Sequence, residues 1–386
     1  MIKSDDCIGC QACADMCPSK AIDFLYNEWG EGHAFADADR CLNCGLCDKI
    51  CPSNNKIVNT KQKTVFAVVS KRNHKTGSSG GVFYELAKRF IEKGGVVIGA
   101  SFSLDLRVIH SYATRIEELS PLCKSKYIHS DMKGAYSMMK ELLSSGASIM
   151  YVGTPCQVSA VKNLFYDKYA EKLLLIDFLC HGSGTQKVFD ACVREEERRM
   201  NGEITSFQFR AKSRKAEHSF TYSMKCGDKG KIVSGYAFEF PYYNSYLEYT
   251  IFCDVCYSCD YSQNNRVGDI TLGDFWGIEK YNKRLSAKRG VSMVSVNSEN
   301  GKRSFDELRE CCRVMEYPIE YASSNNQSFN MAEPFPARKA ELYATLIERG
   351  ESALVREMSC KSIRKTIIYS KMPKWAIKLY NKIRGR

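Results

Sequence analysis

Regularly spaced cysteines are the residues best equipped for chemistry in this chain. Cys7, Cys10, Cys13 and Cys17 are followed by Pro18, and Cys41, Cys44, Cys47 and Cys51 by Pro52. Each run reads C-x2-C-x2-C-x3-C-P, and 23 residues separate Cys17 from Cys41. Thiolates at this spacing suit cubane [4Fe-4S] clusters. A short loop wraps three of them around one cluster, the chain turns at proline, and the last thiolate reaches the other cluster. The pattern assigns Cys7, Cys10, Cys13 and Cys51 to one cluster and Cys41, Cys44, Cys47 and Cys17 to a second. Zinc modules also use C-x2-C pairs, but not a triplet with a C-x3-C-P tail written twice. Gly9 and Gly45 are expected to let backbone approach inorganic sulfur closely, where N–H groups tune the potential.

Later cysteines are sparser. Cys156 lies in Gly153-Thr154-Pro155-Cys156-Gln157 and Cys180 in Asp177-Phe178-Leu179-Cys180-His181-Gly182, each at the end of an expected strand. Ligands bind beyond the carboxyl ends of strands in open α/β sheets, so the two can converge. With the pair Cys256 and Cys259 they supply thiolates for one more cubane. Buried structural cysteine is the competing reading, since free cysteine is among the most buried residue types. Cys253 turns the pair into a triplet and is able to replace one of these ligands, Cys180 first. Cys123, Cys192, Cys226, Cys311, Cys312 and Cys360 have no ligand spacing and read as reduced thiols.

These side chains need elements to position them. Residues 1–57 form a cysteine-dense unit, and the polar stretch 53–63 reads as a linker. Beyond it, short apolar strands (Val65–Ser70, Gly95–Phe102, Ser148–Val152, Leu173–Leu179) alternate with helices (79–93, 131–145, 155–164, 186–200). That alternation argues for an α/β domain with a largely parallel sheet. From about 203 to 300 the pattern turns strand-rich, and helices follow near 302–311 and 336–349. The expected organisation is a dicluster domain (1–57), an α/β domain in two parts (64–145 and 146–300), a helical extension (301–360) and a basic tail (361–386).

Composition fits this picture. The chain has 386 residues, 44% hydrophobic and 26% charged, which is ordinary globular usage. Its 19 cysteines occur without an apolar leader or a run long enough to span a bilayer. A cytoplasmic setting with metal-binding or redox cysteines is therefore expected, rather than a disulfide scaffold. The net charge is +12, and residues 361–386 hold nine Lys and Arg with no Asp or Glu, leaving +3 for the rest. A nearly neutral body argues against a nucleic-acid partner.

Several motifs in order give the chain a resemblance. They are Ser78-Ser79-Gly80-Gly81, Ser125-Lys126-Tyr127 with Ser130, Gly153–Gln157, Cys180-His181-Gly182, Phe209-Arg210 with Lys212, and Cys256-x2-Cys259 ahead of Ile270–Gly277. Over roughly residues 1–300 the sequence resembles the beta subunit of coenzyme F420-reducing hydrogenases and dehydrogenases, in the form with an N-terminal 2[4Fe-4S] ferredoxin-type domain. Its layout is most similar to bacterial members found near polysaccharide-biosynthesis functions. The resemblance implies FAD in the α/β domain and an iron–sulfur flavoprotein oxidoreductase. Electrons would pass from ferredoxin or another low-potential donor to a small organic substrate. Ser78, Ser79, Gly80 and Gly81 would hold pyrophosphate at a helix N-terminus. Lys126 and Tyr127 would contact phosphate and isoalloxazine, with Ser130 beside them, and Thr154 and Gln157 would border the flavin edge. His181 is the candidate proton donor, against a packed histidine under the cluster loop. Asp269 and Asp274 read as binding their own turn, and Trp276 as core. Lys71, Arg72, Lys75, Arg210, Lys212 and Arg214 hint at an anionic substrate, against a solvated charged loop. A non-catalytic electron-transfer subunit docked on a partner oxidoreductase is the alternative from another class, and a redox-regulated interaction protein at the membrane is a third.

In the tail, Trp375, Leu379, Tyr380 and Ile383 form a helical stripe beside Lys374, Lys378 and Lys382, with Pro373 suited to a first turn. Peripheral contact with the inner face of an anionic membrane, docking on the protein itself and a solvated end are the three readings.

Overall fold

The computed structural model describes residues 6–59, 61–212, 220–227 and 230–359. Both cysteine runs fold alike. Helix α1 (Ala12–Met16) carries Cys13 and ends at Cys17, and α2 (Leu46–Ile50) carries Cys47 and ends at Cys51. Positive φ recurs at equivalent places: Gly9 and Gln11 in the first run, Asn43 and Gly45 in the second. Gly9 and Gly45 are thus not counterparts. What repeats is the left-handed step, which turns successive N–H groups into an anion-binding concavity of the kind found at iron–sulfur sites. Between the runs, β1 (Ile22–Tyr26) and β2 (Gly32–Ala36) form an antiparallel hairpin.

The rest is built on one eight-stranded mixed sheet in the order β13-β3-β12-β11-β7-β6-β4-β5. Its strands are β3 (Thr64–Ser70), β4 (Val96–Phe102), β5 (Val108–Ala113), β6 (Ile149–Val152), β7 (Leu173–Phe178), β11 (Ile270–Asp274), β12 (Ser292–Val296) and β13 (Cys312–Pro318). Only the centre, β11-β7-β6-β4, is parallel, and every other pairing is antiparallel. The expectation of a largely parallel sheet holds for the centre alone. Residues Leu173–Asp177 of β7 are all buried, as a strand covered on both faces requires. One face packs under α4 (Ala135–Ser144) and α5 (Pro155–Tyr169) through Tyr136, Met139, Val161 and Phe165. The other packs under α3 (Val82–Glu92) and α8 (Glu299–Asp306) through Leu86 and Phe305.

A separate antiparallel sheet, β8 (Ile204–Phe209), β9 (Thr221–Cys226) and β10 (Lys231–Tyr236), accounts for part of the strand-rich second half. It packs with α6 (Gln186–Met200) and α7 (Pro241–Leu247) in a core rich in Phe and Tyr. The two expected parts of the α/β domain, 64–145 and 146–300, share the main sheet, where β4 pairs with β6. One expected boundary needs correction. The stretch 301–360 holds α8, α9 (Glu320–Ser323) and α10 (Ala337–Arg349), but also β13, which pairs along all of β3. Tail residues 361–386 lie outside the described residues. Among the described residues no helix is long and apolar enough to cross a membrane.

Gly80 shows why a small residue stands before α3. A Cβ there would lie 2.3 Å from the Val68 carbonyl and 2.8 Å from the Ser292 nitrogen. Gly80→Ala should therefore lower stability by about 1–3 kcal/mol through overpacking, read from thermal or urea unfolding.

Candidate cluster sites and cavity

Cys7, Cys10, Cys13 and Cys51 line one small cavity with Ile8, Gln11, Ala12 and Phe24. The last cysteine of the second run thus closes the first set. Burial, with the neighbouring charges of Cys7 and Cys51, pushes the Cys13 thiol up to about 12. Cys47 of the second run adds to that push, which puts the two sets side by side. Cys17 shares an apolar patch with Cys47, Cys13 and Phe24. Slight burial works against its thiolate, but bonds from the Ser19 side chain and the Ala21 N–H carry the Cys17 thiol below its ordinary value.

The later cysteines converge from three elements. Burial first, and then the charges of Cys256, Cys156 and Cys259, push Cys180 up. Cys156 is raised by burial and by Cys259, Cys256 and Cys10. The third set therefore adjoins the first, and Cys10, Cys156 and Cys259 share one apolar core with Tyr136, Tyr151 and Tyr261. Cys253 stands apart. It is buried, its carbonyl accepts from Cys256 N at 2.9 Å, and its charged neighbours besides Cys256 are Glu31 and Lys339. Cys180 lines the cavity described below, and Cys253 does not.

Crowded thiols that raise one another's pKa form a site short of positive charge. An iron core supplies that charge, and ligand thiols are deprotonated on binding it. Among the described residues no three His, Cys, Asp or Glu stand close enough to hold a single bare ion. A cubane brings its own sulfides and takes a wider cage.

Buried polar contacts hold the third set. Asp177 is fully buried, and its carboxylate accepts from Val267 N (3.1 Å) and Gly268 N (2.9 Å) and pairs with Arg266 (3.4 Å). Arg266 also donates to the Tyr261, Gln263 and Phe178 carbonyls. The end of β7, which leads to Cys180, is thereby locked to the loop after Cys259.

Beyond the carboxyl ends of β6, β7 and β11 lies a cavity of about 810 Å³. Ser78, Ser79, Gly81, Lys126, Tyr127, Ser130, Thr154, Gln157, Cys180 and His181 all line it. Ser79 Oγ is buried without a hydrogen-bond partner among the described residues, and so is Arg210 Nε on the same wall. These unspent donors beside the Gly77–Gly81 turn suit a phosphate-bearing ligand. Ser78 accepts from Ser125 N at 2.9 Å, and Arg210 donates to the Ser78 carbonyl at 3.1 Å. Tyr127 stacks on Tyr246 with centroids 4.3 Å apart, and its hydroxyl lies 3.3 Å from Arg210.

Several side chains stand in other roles than their motifs suggest. Gly80 is not a lining residue but a close strand contact. Lys126 donates to the Pro121 (2.7 Å), Cys123 (2.8 Å) and Lys124 (3.3 Å) carbonyls, so its three N–H groups are spent on its own loop rather than phosphate. Burial pulls its pKa down to about 7. Asp274 does not bind its own turn; it holds Arg210 from below through contacts of 2.8 and 3.2 Å. Asp269 does not bind its own turn either; its carboxylate accepts from Leu175 N of β7 (2.8 Å) and from Ser298 Oγ ahead of α8 (2.6 Å). Trp276 faces the cavity and stacks with Phe220 at 5.5 Å. Lys212 donates to the His74 and Ser79 carbonyls, and Lys71 to that of Glu310, so neither reads as a free anion ligand. Gln157 bridges Thr154 and Ser130, and Thr154 Oγ1 lies 3.1 Å from Cys156 Sγ. His181 Nδ1 lies 3.2 Å from buried Glu333, and its ring stacks on Tyr249. Arg214 lies outside the described residues.

Residues 146–320 match the family model for the C terminus of the coenzyme F420 hydrogenase/dehydrogenase beta subunit, and residues 6–55 match that of the 4Fe-4S dicluster domain. A search of curated proteins found no match. Among solved structures, a chain of the F420-reducing [NiFe] hydrogenase complex from Methanosarcina barkeri is similar at 14% identity and a TM-score of 0.46. The match covers 81% of this chain and 93% of that one.

The beta-subunit match takes in Cys156, Cys180, Cys256 and Cys259 and stops at Glu320. The wall formed by Ser323, Asn325, Asn326, Gln327, Asn330 and Glu333 lies beyond it. No motif in the sequence marks this wall. The amide-dense stretch Ser323–Asn330 was a signal, but nothing in its spacing says that it folds back beside Cys180.

Proposed function

We propose that this iron–sulfur protein of the hydrogenase/dehydrogenase beta-subunit type is a flavin-dependent oxidoreductase. Cys7, Cys10, Cys13 and Cys51 hold one cubane, Cys41, Cys44, Cys47 and Cys17 a second, and Cys156, Cys180, Cys256 and Cys259 a third. The cavity holds FAD. Bound there, the clusters supply one-electron conduction and the flavin two-electron chemistry. One observation carries the reading: the thiol sets adjoin one another in succession, Cys47 and Cys17 packing against Cys13, and Cys156 and Cys259 sharing a core with Cys10. Cys180 opens onto the cavity.

The chain's own residues do the rest. Ser79 and Arg210 offer donors to an anionic cofactor group, and Tyr127 offers a ring face. Asp274 keeps Arg210 in place, and Glu333 orients His181 toward the cavity. A small polar organic substrate suits the wall of Asn325, Asn326, Gln327 and Asn330, in keeping with the polysaccharide-related role that the resemblance implies.

Anaerobic purification with iron and flavin analysis tests this. About 12 iron atoms per chain are expected, four for each set of four thiolates, with flavin bound or readily restored. Clusters without flavin, even after reconstitution, would leave the electron-transfer subunit as the reading. Ser79→Ala should weaken flavin affinity about tenfold, the loss of a hydrogen bond of about 1–1.5 kcal/mol, as measured by fluorescence titration. Unchanged affinity would move the phosphate end elsewhere.

A further inference from the structure

The two cysteine runs share a pattern yet differ in exposure. Cys10 is buried, and its counterpart Cys44 is exposed. Gln11 accepts from Met132 N at 2.7 Å, while its counterpart Gly45 meets nothing within 4 Å of an added Cβ. Tyr136 donates to the Cys10 carbonyl, and Asp15 binds Ser137. The first run is thus plugged into the α/β domain throughout, whereas the second is anchored only at its end, where Asn163 binds the Ile50 carbonyl and Tyr261 that of Pro52, and its Leu42–Gly45 stretch faces outward. Leu42, between two of its cysteines, is 68% exposed.

The hairpin beside it has one face in and one out. Ile22 and Ala34 are buried toward the cysteines. Asp23, Leu25, His33 and Phe35 point the other way, with Leu25 58% and Phe35 53% exposed. Leu25 and Phe35 are diagonal neighbours on a two-stranded sheet, close enough to form one apolar spot. Arg40, next to Cys41, binds Asp23 and Asp37 and ties this face to the second run.

Charge gives the partner its sign. Residues 6–57 hold four Lys and Arg against eight Asp and Glu, a net −4 in a chain of net +12. Thiolate-held cubanes would make the module more negative still.

We infer that this outer face is the docking surface for a redox protein that presents a basic rim around an apolar centre. The inference rests on the proposed cluster assignment and adds to it the place and the sign of the partner. One electron leaves the partner's one-electron centre, which is oxidised, and enters the Cys41–Cys51 run, which is reduced; no bond forms and no proton moves. The reverse flow uses the same surface. An acidic ferredoxin is disfavoured here by like charge.

The test uses the anaerobic full-length holoprotein, with cytochrome c as a basic haem probe and a plant-type ferredoxin as an acidic one of small size. Cytochrome c should bind more tightly than the ferredoxin, weakening about tenfold as salt rises from low to physiological strength. Leu25→Ser with Phe35→Ser, and separately Asp39→Lys at the exposed carboxylate between Asp37 and Cys41, should each weaken cytochrome c binding about three- to tenfold and slow its reduction in parallel. Iron content and reduction by dithionite should not change. Equal binding by all variants, or preference for the acidic probe, would overturn the surface. Failure of dithionite to reduce any cluster would overturn the cluster assignment beneath it.

Discussion

Asp177→Ala should be among the most destabilising single substitutions in the protein, costing about 3–5 kcal/mol. The carboxylate is fully buried and so is its partner Arg266, 2% exposed. Removing one member leaves a buried guanidinium without its counter-charge, which costs more than the pair itself contributes. Val267 and Gly268 N–H groups lose their acceptor as well. A thermal midpoint lower by about 5–15 °C is expected, with iron lost from the third set first, because the loop after Cys259 is no longer held to β7. Asp177→Leu with Arg266→Met should recover part of the loss, since an apolar pair replaces a buried ionic one at little net cost. A single variant with wild-type melting would show that the loop is held by other contacts.

Cys180→Ala carries the largest functional effect. Cys180 belongs to the third set and to the cavity wall at once. Its loss should reduce iron from about 12 to about 8 atoms per chain, one cubane's worth. The first two sets lie on separate elements and should keep their spectra. Delivery of electrons from the outer clusters to the cavity should then fall to background, while a reductant acting directly on the flavin still works. Cys253→Ala is the matched control. Cys253 is buried beside Glu31 and Lys339 and is not part of the cavity wall, so iron should stay near 12, with a shifted potential at most. If Cys253→Ala loses a cubane and Cys180→Ala does not, the ligand set must be redrawn.

Much of this could be read from the chain because the chemistry is local. Three cysteines within seven residues fix one another's distances, so the spacing alone places them. The strands that end at Cys156 and Cys180 were legible from apolar runs closed by Gly and Pro. What escaped depends on long-range contact. Lys126 looked like a phosphate ligand, yet its ammonium meets three carbonyls of its own loop, which no spacing announces. Asp274 and Arg210 are 64 residues apart and pair only because β11 and the end of β8 meet at the cavity. Lys339 reaches Glu31 from 308 residues away, under Trp29, and clamps the hairpin, Asp254 and α10 together. The strand Cys312–Pro318 was hidden because charged residues interrupt its alternation and only pairing with β3 makes it a strand.

The most direct test of the central claim is an electron paramagnetic resonance redox titration of the anaerobic protein, with metal analysis of the same sample. Three adjoining cubanes predict about 12 iron atoms and, on full reduction, signals broadened by coupling between neighbouring clusters, with the third lost in Cys180→Ala. Zinc in place of iron, or isolated signals from about eight iron atoms that Cys180→Ala leaves untouched, would contradict it.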